Sequence, residues 1–161
     1  MIMDKKEKKD PTILVCIDNT NASLVALKYA RFKAKKLGFK TEILSILEPS
    51  HKNLLFGSQA IAKEKREKTE KHIEKAIKEI FVNKNESPIV VIREGDVMNE
   101  IMAEIRRNSN CVSLVLGKSR KSSESDNTVL SKMAQKMSRK IKIPITIVPE
   151  NIEENIFELM I

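Results

Sequence analysis

Thr12-Ile13-Leu14-Val15-Cys16-Ile17, broken by Asp18-Asn19-Thr20-Asn21, decides the fold. An unbroken apolar run of this length, rather than an alternating one, marks a parallel strand covered on both faces by crossover helices. After the break, Ala26, Leu27, Ala30, Ala34 and Leu37 recur at helical spacing as far as Gly38, a good C-terminal stop. A buried strand feeding a helix is the first half of a β-α-β unit.

The same alternation continues outward from this unit. Thr41 to Leu47 reads as a second strand closed by Glu48-Pro49, His51 to Ser58 as loop, and the following stretch as a long helix. Ala62 to His72 carries hardly any apolar side chain, whereas Ile73, Ala76, Ile77 and Ile80 form a stripe, so the first half of this helix is expected to project from the body or sit on its rim. Pro88 to Ile92 is a third strand, Gly95-Asp96 a turn, and Val97, Ile101 and Ile105 mark a third helix. Val112 to Leu116 is a fourth strand. A polar loop from Lys118 to Thr128 leads to a helix with Met133, Ala134, Met137 and Ile141, and Ile143 to Val148 is the fifth strand.

Five strands alternating with four helices specify an α/β fold: a single doubly wound, Rossmann-like domain with a right-handed, five-stranded parallel sheet. Strand order 3-2-1-4-5 is expected, which puts the switch point between strands one and four. The ligand crevice then lies beyond their carboxyl ends, at Asp18 and Gly117. Residues 1-10 read as a charged flexible tail, 11-149 as the domain, and 150-161 as a short helical extension opening at Asn151-Ile152-Glu153-Glu154.

Composition bounds the function. The formal charge is +8 over 161 residues, but the densest basic stretch interleaves acids, so that Glu64 meets Lys68 and Glu67 meets Lys71 one turn on. That is a solvated helix face, and nucleic-acid binding is a secondary alternative. Arg106, Arg107, Arg139, Lys140 and Lys142 fall near helix C-termini, where the macrodipole accounts for them. Cys16 and Cys111 read as core thiols, and under the expected strand order they lie about 13 Å apart along neighbouring strands, too far for a disulfide. No signal-like or membrane-length apolar run is present, so a cytoplasmic location is expected.

Recognisable catalytic motifs are missing. Gly117-Lys118-Ser119 resembles the end of a phosphate loop, but the required earlier glycine falls at Val112 inside a strand. His51 and His72 have no partners at metal spacing and are expected to be solvated, and no serine stands in a Gly-x-Ser-x-Gly elbow. Neither enzyme activity nor a metal is expected.

Three segments carry a family resemblance. Ile13-Leu14-Val15-Cys16-Ile17-Asp18, followed by Asn19-Thr20-Asn21-Ala22-Ser23, resembles the opening strand, aspartate and first helix start of the universal stress protein family. Leu114-Val115-Leu116-Gly117-Lys118-Ser119-Arg120 is similar to the family's Ile-Val-Met-Gly-Ser-Arg-Gly, and Ile143-Pro144-Ile145-Thr146-Ile147-Val148-Pro149 to its closing strand. The resemblance implies a homodimer paired through the 143-148 edge, a stress-response role with further protein partners, and ATP or AMP as the possible ligand. In ATP-binding members the loop after the fourth strand reads Gly, two residues, Gly, nine residues, Gly, then Ser or Thr. Here Gly117 stands, Arg120 replaces the second glycine, and Leu130 or, in a one-residue longer register, Ser131 replaces the third.

Those glycines let backbone amides approach phosphate closely. The expected crevice therefore comprises Asp18, Gly117, Lys118, Arg120 and Ser131, with Asp18 retained on the adenine and ribose side and the phosphate cradle degenerate. Asp18 has an equal structural reading as the cap of the first helix. The expectation is a non-catalytic, regulatory stress protein without a resident cofactor; the alternative is a nucleotide-binding member.

Overall fold

A computed structural model describes residues 10-49, 58-120, 135-137 and 139-160. The sheet has five parallel strands, β1 (Thr12–Ile17), β2 (Lys40–Leu47), β3 (Ile89–Glu94), β4 (Cys111–Lys118) and β5 (Ile145–Pro149), in the order β3-β2-β1-β4-β5. The expected topology is the observed one. Strand limits move by a few residues: β3 runs on to Glu94, β4 gains Cys111 and both Gly117 and Lys118, and β5 starts after Pro144, which has no N–H to give a ladder.

Helix α1 (Asn21–Leu37) covers one face, with Ala22, Ala26, Ala30 and Ala34 all buried against the sheet. Small side chains at every fourth position allow the helix backbone to approach β1 and β4 closely. Its cap is Thr20, whose side chain accepts the Ser23 N–H, and it ends at Gly38 with φ 68°, a left-handed conformation that glycine adopts without penalty. Ile13, Val15, Ile43 and Val115 fill this side of the core, joined by Ile73, Ala76 and Ile80 of α2 (Ser58–Ile80). On α2 the stretch 61-68 is exposed, with Glu64–Lys68 and Arg66–Glu70 pairs along it, as befits a rim position.

The other face packs Leu14, Leu44, Leu114 and Leu116 against Ile101 of α3 (Val97–Arg107) and against Met137. Residues 135-137 and 139-140 are helical; Met133, Ala134 and the loop 121-134 lie outside the described residues. A register shift beside Val112 lets Cys111 and Leu114 both face this layer, while Ser113 turns the other way. Cys111 pairs with Thr12, four residues before Cys16, and both cysteines are free, in keeping with the offset expected from the strand order.

A short C-terminal helix, Glu154–Leu159, folds back on α1, where the Phe157 ring meets Tyr29 edge-on at 5.6 Å and Phe32 at 5.8 Å. Among the described residues no helix is long and apolar enough to cross a membrane.

Candidate functional site

The carboxyl ends of β1 and β4 diverge around a cavity of about 220 Å³, at the switch point of the sheet. Its walls are Cys16, Ile17, Asp18 and Ser23 from β1 and the start of α1, Leu44 and Ile46 from β2, Val97 and Ile101 from α3, and Leu116 and Gly117 from β4. Asp18 and Gly117 thus meet in one crevice. The apolar lining was not singled out from sequence, because Leu44, Ile46, Val97, Ile101 and Leu116 read there simply as core positions. What betrays them is position: each sits near the carboxyl end of its strand or at the start or middle of α3, where the layers separate.

Asp18 is exposed, and its Oδ1 accepts the Thr20 N–H at 2.8 Å and also the Thr20 hydroxyl. The carboxylate therefore shapes the turn before α1, and the cap itself is Thr20, not Asp18. Ser23 closes the turn: its hydroxyl donates to the Asp18 and Thr20 carbonyls at 2.9 Å each and lies 3.2 Å from the Asp18 N–H. One carboxylate oxygen of Asp18 is thus committed to the turn, while the residue itself lines the cavity.

Gly117 has a packing reason of its own. A Cβ there would lie 2.4 Å from the Ala22 carbonyl oxygen and 2.9 Å from the Ser23 nitrogen, so this glycine is what lets α1 start so close to β4. Lys118 closes β4 opposite Pro149 and is exposed, as is Arg120. Ser131, together with Leu130, lies outside the described residues.

Glu150, immediately after β5, was missed from sequence because it is thirty residues from the loop it touches. Its Oε2 accepts the Arg120 N–H at 2.9 Å and the Ser119 hydroxyl at 3.4 Å, and its Oε1 accepts from Asn21 Nδ2 at 3.1 Å.

The model of the universal stress protein family matches residues 11–149. The chain belongs to the universal stress protein family. No curated protein matches it in sequence. Among solved structures, universal stress protein UspA from Lactobacillus plantarum superposes with a TM-score of 0.71 at 12% identity, covering 87% of this chain and 98% of that one. A universal stress protein in complex with cAMP gives 0.53 at 16% identity, covering 89% and 100%. The universal stress protein from Archaeoglobus fulgidus in complex with dAMP gives 0.51 at 13%, covering 86% and 97%. At these identities the likeness is one of fold.

Burial pushes the Cys16 thiol up to about 12, with Asp18 and Cys111 adding to the effect, so it stays protonated near neutrality. His72, expected to be solvated, is half-buried on α2, and its Nε2 has no hydrogen-bond partner among the described residues. Among the described residues, no group of three or more His, Cys, Asp or Glu is placed to hold a metal ion.

Proposed function

We propose that this universal stress protein is a non-catalytic regulator of the stress response, acting in the cytoplasm as a homodimer and through contacts with partner proteins. Its pocket admits the base side of an adenine nucleotide and holds the phosphates weakly. The observation that carries this reading is the character of the cavity at Asp18 and Gly117. It is walled mainly by aliphatic side chains and, at about 220 Å³, is smaller than the roughly 300–1,000 Å³ of sites that bury a drug-sized ligand.

Two relatives of the same fold hold adenine nucleotides, cAMP in one and dAMP in the other, which favours a base in this cavity. On the phosphate side the support runs the other way. Gly117 is committed to α1 packing, and Arg120 brings a side chain to the position where ATP-binding members have glycine. A protonated Cys16 in the wall offers no nucleophile, in keeping with a binding role rather than catalysis.

The test is thermal. A ligand present at its own dissociation constant adds only about 0.4 kcal/mol, whereas one at a hundredfold excess adds about 2.7 kcal/mol. Millimolar ATP with magnesium should therefore raise Tm by no more than about two degrees. A rise of many degrees that disappears in Asp18→Ala would overturn the reading and make this a true ATP-binding member. The comparison is between shifts, because Asp18→Ala also removes the contacts to Thr20 that organise the turn.

A further inference from the structure

The Glu150 N–H donates to the Lys118 carbonyl at 2.9 Å, which pins the residue after β5 beside the residues after β4. From that anchor, among the described residues, the Glu150 carboxylate draws donors from two separate parts of the chain. The Arg120 main-chain amide and Ser119 hydroxyl come from the end of β4, and the Asn21 side-chain amide comes from the first residue of α1. A main-chain N–H, a hydroxyl and a side-chain amide converging on two oxygens make the donor set that holds an oxyanion, and Lys118 and Arg120 add positive charge on the same segment. The anion now in place is the chain's own.

We infer that the tip formed by β4 and the start of α1 is an oxyanion site held shut by Glu150, and that withdrawal of this carboxylate opens it to a phosphoryl group. A tethered ligand competes at an effective concentration on the order of millimolar, so a free phosphoryl group must bind more tightly than that to displace it. The inference rests on the proposed weak hold on phosphate and gives that weakness a second cause: besides the lost glycines, one main-chain donor at position 120 is already occupied.

Titration with tripolyphosphate, followed by calorimetry at fixed ionic strength, tests it. Glu150→Gln keeps the shape of the side chain but replaces a charge-assisted acceptor with a neutral one, and the affinity should rise at least tenfold over the unaltered protein. Glu153→Gln, an equal loss of charge three residues away on an exposed side chain without a cap hydrogen bond, should leave it unchanged. Should Glu150→Gln fail to fold, Glu150→Asp draws the carboxylate back by one methylene while keeping its charge, and a smaller gain is expected. An equal gain in the Glu150 and Glu153 variants would overturn the inference as a general charge effect. No gain in a folded Glu150 variant would overturn it too, while leaving the weak-phosphate reading in place. Tight ATP binding by the unaltered protein would overturn that reading and this inference together.

Discussion

Glu42 of β2 and Glu104 of α3 are both fully buried, and they share a hydrogen bond. Burial pushes Glu42 up to about 7, and the neighbouring Glu104 carboxyl adds to the rise, against a partial offset from Asn108 and Arg107. Burial also acts to raise Glu104, but hydrogen bonds from Arg107, Glu42 and Arg93 outweigh it and hold that carboxyl below its ordinary range. One proton thus sits on Glu42, with the charge on Glu104. The sign follows. Between the ordinary carboxyl range and about 7 the unfolded chain has released the Glu42 proton and the folded chain has not, so folding takes up a proton and stability falls as pH rises through this window. Glu104 acts oppositely, losing its contribution as pH drops below the ordinary range. Melting temperature should therefore decline from about pH 5 to about pH 7, and Glu42→Gln, which keeps a donor toward Glu104 without titrating, should flatten that decline. An unchanged slope in Glu42→Gln would place the titration elsewhere. At this scale the sequence was readable only in part. Asp18 and Gly117 follow from topology, because the ends of neighbouring strands are fixed once the order is known. Glu42, Glu104 and Glu150 do not: Glu42 meets Asn108, 66 residues away, and shares its proton with Glu104, and Glu150 meets Arg120 and Asn21, 30 and 129 residues away, pairings that no local pattern encodes.

Among the elements, β5 closes one edge of the sheet and β3 the other. Both present apolar side chains to the outside: Ile147 is 40% exposed on β5, and Ile89 and Val90 are 40% and 42% exposed on β3. Uncovered edges of this kind invite strand pairing. The C-terminal helix spends Phe157 on its own subunit yet leaves Leu159 and Met160 exposed, so the fold-back does not use up the apolar surface of the tail. We expect the dimer to form through β5, as the family resemblance implies. Light scattering at micromolar concentration should give twice the chain mass, Ile147→Lys should give a monomer, and Val90→Lys should leave the dimer. A monomeric parent protein, or a dimer broken only by Val90→Lys, would contradict this. The elements themselves were the most legible feature. Apolar runs located every strand, even though β2 also carries Glu42 and Ser45 and the edge strands β3 and β5 are only partly covered. Their ends were less so: Gly117 and Lys118 looked like loop because β4 keeps its ladder with Val148 and Pro149 after its apolar run has ended.

Taken as a whole molecule, one crevice is served by the ends of strands that are far apart in sequence, and the chain divides it unequally. On the proposed reading, the base side is an aliphatic cavity with Asp18 in its wall. On the phosphate side, Gly117 is used to seat α1, Arg120 occupies a glycine position, and Glu150 holds the Arg120 amide. Affinity should therefore come from the base, with the phosphates adding little. Calorimetric titration with adenosine and with magnesium ATP, in the same buffer, reads this division directly. The two dissociation constants should agree within about threefold, a difference of about 0.7 kcal/mol. ATP binding about a hundredfold more tightly than adenosine, roughly 2.8 kcal/mol, would show a working phosphate cradle and contradict the account.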